Sequence, residues 1–68
     1  MIRYSTFVQT TTLKKAEKIM IFNAAHSNQY LVLDMPNGYT YMYPNTNYNQ
    51  EKLEQSGRKI SEWHANMN

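Results

Sequence analysis

The chain predicts an α+β fold of order β-α-β-β-α: a three-stranded antiparallel sheet, one helix packed on a face of it, and a C-terminal helix. Three observations lead there. Residues 30–35 and 39–43, rich in β-branched and aromatic types, flank Pro36-Asn37-Gly38, where Asn and Gly take positive φ at low cost; this is the strongest hairpin signal in the chain. Residues 1–8 alternate in the manner of a strand. Leu13, Ala16, Met20 and Ala24 fall on one helical stripe.

In the first strand, Ile2, Tyr4, Thr6 and Val8 share one side, and Arg3, Ser5 and Phe7 the other. Tyr, Thr, Phe and Val all favour a pleated surface. Phe7 either covers an end of the core or stands exposed. Thr10-Thr11-Thr12 stops the alternation and supplies N-cap hydroxyls. In the helix that follows, Lys14, Lys15 and Lys18 point away from the apolar stripe, either as a solvated face or as a contact for an acidic partner or phosphate. Past Met20 the polar side disappears, and Ile19, Ile21 and Phe22 point three ways on a helical wheel. Either the helix end is buried or Phe22 is exposed and marks a contact surface. Residues 23–29 read as helix end and loop, with Asn28 suited to a left-handed position.

In the hairpin, Leu31, Leu33 and Met35 share a face, and Tyr30, Val32 and Asp34 the opposite one. Parity allows either Thr40 and Met42 or Tyr39, Tyr41 and Tyr43 to join the leucines. Six tyrosines are too many phenols for so small a core, so Met42 is expected inward and the three tyrosines at least partly outward. Pro44, with no N–H, ends the strand. After a polar linker from Asn45, Leu53, Gly57, Ile60, His64 and Met67 form a line with Trp63 beside it. They predict two short helices (50–56 and 59–66) or one bent at Gly57, against a competing strand over residues 58–63 turned at Ser56-Gly57. Trp63 is expected in the core, and His64 packed beside it and Ile60. Residues 1–68 make one domain: a strand-helix-hairpin core over 1–44, then the linker and helical segment over 45–68.

Composition narrows the function. The chain has no cysteine, so neither a disulfide nor a thiolate zinc site is available. No apolar run approaches the ~20 residues of a membrane span, and the first 20 residues lack a signal-peptide core. A cytoplasmic location, in a host cell, is expected. Seven Lys/Arg against five Asp/Glu leave a net charge of +2, too little to hold nucleic acid by charge alone. Uncharged polar residues, six Tyr and five Met dominate instead, a composition suited to wet and aromatic protein contacts.

The titratable candidates for catalysis are Asp34, Glu51, Glu54, Glu62, His26 and His64. Glu62 and His64 are two apart and would diverge on a helix. No glycine pattern frames a nucleophilic serine or a phosphate loop, and His26 has no second ligand at metal-site spacing. No enzyme, cofactor or metal is expected. A small single-stranded nucleic-acid binder is one alternative: Tyr39, Tyr41 and Tyr43 would stack bases while Lys14, Lys15, Lys18, Arg58 and Lys59 guide phosphates. The helix, however, would aim its lysines away from the tyrosines.

The order strand, helix with Thr12, Leu13, Ala16 and Ile19, then hairpin with Asn37, Gly38, Tyr39, Tyr41 and Tyr43 resembles that of small phage-encoded inhibitors of the anti-CRISPR type, over residues 2–44. Such proteins occupy a surface of a bacterial ribonucleoprotein complex, sometimes with lysines where target DNA would lie. The resemblance implies Lys14, Lys15, Lys18 and the Tyr39/Tyr41/Tyr43 strand as contact groups, to which an exposed Phe22 would add. The expected function is therefore a non-enzymatic phage or mobile-element protein that binds and inhibits a bacterial protein or ribonucleoprotein complex, such as a CRISPR effector or another defence nuclease. A homodimeric interaction module, paired through an exposed aromatic strand, is the remaining alternative.

Overall fold

The computed structural model describes residues 2–65. The chain runs β1 (Ile2–Tyr4), α1 (Thr10–Lys15), β2 (Lys18–Asn23), a 3-10 turn (Ala25–Ser27), β3 (Gln29–Asp34), β4 (Thr40–Pro44), α2 (Asn47–Ser56) and β5 (Glu62–Ala65). The α+β class stands. The sheet, however, has five strands in the order β1-β4-β3-β2-β5, not three, and it is mixed. β2–β3 and β3–β4 are antiparallel, while β1–β4 and β2–β5 are parallel. The chain therefore holds two overlapping split β-α-β units, β1-α1-β2 and β4-α2-β5, each stepping across the sheet in the same direction. Crossovers that step the same way with the same hand lay their helices on the same face.

The hairpin forms where expected. The Gly38 amide donates to the Met35 carbonyl, the Tyr39 amide donates to Asn37 Oδ1, and Gly38 sits at φ 90 while Asn37 keeps a negative φ. The Met35 amide donates to the Tyr39 carbonyl, so the loop is the three residues Pro36-Asn37-Gly38, and it fixes the register: Leu31 faces Tyr43 and Leu33 faces Tyr41. Residues directly opposite share a face, so the tyrosines join the leucines and Met42 does not, the reverse of the sequence expectation.

The core is a single cluster: Leu13 of α1, Leu53 of α2, Ile19 and Ile21 of β2, Leu31 and Leu33 of β3, Met35, Val8, Ala16 and Tyr43, with Tyr39, Tyr41 and Ile60 packed against it. Tyr43 is 7% exposed.

Four further expectations are corrected. The helix predicted through Ala24 stops at Lys15, and the segment after Ala16 is a strand, because Ile19-Met20-Ile21-Phe22 alternates with period two and buries Ile19 and Ile21. α1 is preceded by Gln9, which makes no side-chain cap; the three threonines lie inside the first turn. The left-handed residue before β3 is His26 (φ 62), while Asn28 is extended. The first strand covers only Ile2–Tyr4.

In the C-terminal part, α2 starts earlier than expected, because Thr46 Oγ1 accepts the Asn49 amide as an N-cap, and it ends at Gly57 (φ 75). In place of a helix over 59–66, β5 pairs with β2 in parallel. A strand does form, but over Glu62–Ala65 rather than over the 58–63 of the competing expectation, and it is reached by a crossover and not by a tight turn. The end of the expected helix at 66 and Met67 lie outside the described residues. Trp63 is 62% exposed rather than in the core, because β5 is an edge strand that the helices do not reach, and His64 is exposed too.

Candidate functional site

The residues expected to make contact do not form one surface. Tyr39, Tyr41 and Tyr43 lie on the helix-covered face as a ladder, with ring centroids 6.4 and 6.5 Å apart. Tyr43 is buried and its phenol is pushed above its ordinary 10.0, first by burial and then by Tyr41. Tyr39 and Tyr41 are half-buried, and the Arg3 guanidinium lies 5.2 Å from the centre of the Tyr39 ring. Tyr43 is thus core, Tyr39 and Tyr41 are packed half-buried against it, and the three do not face away from the helices. Lys14 and Lys15 are exposed at the end of α1. Lys18 and Phe22 belong to the opposite face, on β2.

Among the described residues, no helix or further strand layer covers that opposite face. Lys18, Met20 and Phe22 of β2 stand in register with Asp34, Val32 and Tyr30 of β3. Those in turn meet Thr40, Met42 and Pro44 of β4. Met20, Phe22, Tyr30, Val32 and Met42 are each half-buried, and Ile2 at the β1 end is 56% exposed. The polar groups gather at the rim. Lys18 Nζ lies 2.7 Å from Glu62 Oε1, and His64 Nε2 3.3 Å from Glu62 Oε2. The hydrogen bond and charge of Lys18 lower the Glu62 carboxyl below its ordinary 4.5, and Glu62 in turn raises Lys18 above 10.5. The Thr40 hydroxyl donates to Asp34 at 3.2 Å.

A second cluster lies on the helix side. Asn49, at the start of α2, is wholly buried, and its side chain ties three chain segments together. Its Oδ1 accepts the Val8 amide at 3.0 Å, while its Nδ2 donates to the Thr6 carbonyl at 3.0 Å and the Pro44 carbonyl at 2.7 Å. This lock turns Val8 into the core and leaves Phe7 62% exposed. The Phe7 ring meets Tyr48, itself 45% exposed, edge-on at 4.9 Å, and Lys52 Nζ stands 5.2 Å from the centre of the Tyr48 ring. Tyr48, Asn49 and Lys52 gave no signal in the sequence, where they sit in an asparagine-rich stretch; only Phe7 was a candidate for exposure.

Arg58, considered above as a phosphate contact, is engaged elsewhere. Its Nη1 donates to the Leu13 and Lys14 carbonyls at 2.9 and 3.1 Å, closing the open end of α1. Among the described residues, no three His, Asp or Glu side chains gather where a metal could sit, no cavity is enclosed, and no helix is long and apolar enough to cross a membrane. Neither protein-family models, nor characterised proteins, nor solved structures give a match to this chain.

Proposed function

We propose that the chain is a non-catalytic inhibitor of phage or mobile-element type. In this reading it binds a bacterial protein or ribonucleoprotein complex, such as a CRISPR effector or another defence nuclease. The target contact is the Phe7–Tyr48–Lys52 cluster, with Lys14 and Lys15 as further basic groups on the helix side. The observation that carries the reading is the lock beneath the cluster. A fully buried asparagine with three side-chain hydrogen bonds holds a phenylalanine out in water beside a second exposed aromatic and a lysine. Exposed aromatic anchors on a rigid support are what binding hot spots are made of, and preorganisation lowers the entropy lost on binding.

The test is direct. The tagged chain is used to capture complexes from bacterial lysate, and the captured nuclease is assayed for cleavage with and without added protein. Stoichiometric inhibition that Phe7→Ala and Lys52→Glu weaken supports the reading. Capture without loss of cleavage, or inhibition that both variants leave intact, rejects it.

A second reading draws on the same cluster. An exposed aromatic pair next to a lysine also suits a stacked base and its phosphate, so a single-stranded nucleic-acid binder stays in view. Gel shift of an oligonucleotide across a salt series separates the two, because phosphate contacts weaken steeply with salt.

A further inference from the structure

The hairpin turn carries chemistry that the target contact does not use, at the other end of β4 from the Asn49 clasp on Pro44. We infer that Asn37 is a site of spontaneous modification in the folded chain. Its side-chain nitrogen leaves as ammonia after ring closure on the Gly38 nitrogen, and aspartate or iso-aspartate remains.

The step needs no reactant but water. The Gly38 nitrogen gives up its proton to base and attacks Asn37 Cγ; the bond from Cγ to Nδ2 breaks, and Nδ2 departs as ammonia. A five-membered succinimide is left. Water opens it at the side-chain carbonyl to give aspartate, or at the backbone carbonyl to give iso-aspartate, whose main chain then runs through the side chain. Each event consumes one water, releases one ammonia and lowers the net charge of +2 by one.

The features that favour this step meet at one asparagine. Asn37 alone among the asparagines of the sequence precedes a glycine, so no Cβ stands beside the attacking nitrogen. Both residues are exposed at the loop tip, and a Cβ added at Gly38 would meet nothing within 4 Å, so water and base reach the bond. The Tyr39 amide donates to Asn37 Oδ1 at 3.1 Å. That bond folds the side-chain carbonyl back along the Asn37–Gly38 peptide. It also sets a donor on the oxygen where negative charge develops as nitrogen adds to Cγ.

Other asparagines lack this combination. Asn49 is wholly buried with its side chain in three bonds, and Asn45 has both ends of its amide engaged, with Gln29 and Gln50. Asn23 is bonded to Gln29 and precedes Ala24. One contact opposes the reaction at Asn37: the Gly38 amide donates to the Met35 carbonyl at 3.0 Å, and its proton must leave first. Loop tips open locally with little free energy, and the Met35–Tyr39 backbone bond still holds the hairpin when this one breaks. The turn therefore slows the conversion without preventing it. Iso-aspartate adds a backbone carbon to the loop that sets the register of β3 and β4, so that product is expected to weaken the hairpin.

The test is mass-spectrometric peptide mapping of the full chain, aged in native buffer at neutral and at mildly alkaline pH, with circular dichroism following the fold. Asn37 is expected to convert at least about tenfold faster than Asn23 or Asn45, and faster at the higher pH, with iso-aspartate among the products. Gly38→Ala, which sets a methyl group beside the nitrogen, is expected to slow conversion at least about tenfold. Because φ 90 strains that variant, Asn37→Gln is the second: its longer side chain must close a six-membered ring, and loss of ammonia at position 37 is expected to be slower too. Phe7→Ala, which removes the proposed target contact, leaves the rate unchanged, so the two proposals fail separately. An Asn37 that stays intact, or converts no faster than Asn23, overturns the inference. So does conversion seen only after urea has unfolded the chain, or a wild-type rate in Gly38→Ala or Asn37→Gln.

Discussion

Asn49 and Val8, 41 residues apart, are joined by a hydrogen bond of 3.0 Å from the Val8 amide to the Asn49 side chain, at a position closed to water. The same side chain's two other bonds, to Thr6 and Pro44, make this one residue the clasp between the first linker, the end of β4 and the start of α2.

Asn49→Ala strands one buried amide and two carbonyls. The expected loss is about 2–4 kcal/mol, a large part of the stability of so small a domain. Asn49→Asp is expected to be no milder, since it keeps the acceptor for Val8 but aims a carboxylate at two carbonyl oxygens. Urea denaturation of the three proteins reads this directly.

Arg58→Met removes the guanidinium from the Leu13 and Lys14 carbonyls while keeping much of its apolar stem. A loss of about 1 kcal/mol is expected, with Arg58→Lys recovering only part of it because an ammonium lacks the planar fork. Amide hydrogen exchange in residues 10–15 is the informative probe. Faster exchange there than in β3 marks the fraying of α1, and a uniform change contradicts the capping role.

The two faces of β3 should respond differently to truncation. Leu33→Ala opens a void in a fully buried site and is expected to cost about 2–5 kcal/mol. Val32→Ala, next to it on the uncovered face, is expected to cost about 1 kcal/mol or less in dilute protein, where the side chain is already partly wet. Chemical denaturation at low micromolar concentration compares them. Equal losses would contradict the one-sided core.

Stability should fall at both ends of the pH scale for identifiable reasons. Glu62 is lowered below 4.5 in the folded chain, so its contribution is present above 4.5 and is lost as pH falls through the lowered value. Tyr43 is raised above 10.0 by burial. Stability is therefore full below 10.0 and declines as pH climbs from there toward the raised value. Glu62→Gln is expected to flatten part of the acid limb and Tyr43→Phe part of the alkaline limb, as read by thermal unfolding at a series of pH values. Lys18, raised above 10.5 by Glu62, contributes to the alkaline limb as well and loses that contribution in Glu62→Gln.

The misread helix shows how far local pattern reaches. Leu13, Ala16, Met20 and Ala24 do fall on a helical line, but so does almost any apolar-rich stretch of that length. The conflict at Ile19, Ile21 and Phe22, three directions on one wheel, was the trace of a period-two segment. A similar limit applied to the tyrosines. Their number argued against burial, yet a core that closes on one side only lets Tyr39 and Tyr41 bury part of each ring at its margin. Of the proposed contact cluster only Phe7 was visible, because Tyr48 and Lys52 reach it through a buried asparagine whose partners are remote in sequence.

What the residues determined alone were the local features: the hairpin at Asn37-Gly38, the inward set Leu31, Leu33 and Met35, the turn at Gly57, and the α+β class. These depend on the φ preferences and spacing of near neighbours, which a sequence displays. Tertiary structure decided the rest. Parallel pairing of β1 with β4 and of β2 with β5 joins segments nearly 40 or more residues apart, and no local preference specifies it. That pairing sends both helices to one side, draws the tyrosines beneath them, and leaves Met20, Phe22 and Met42 on a face that no other element among the described residues covers.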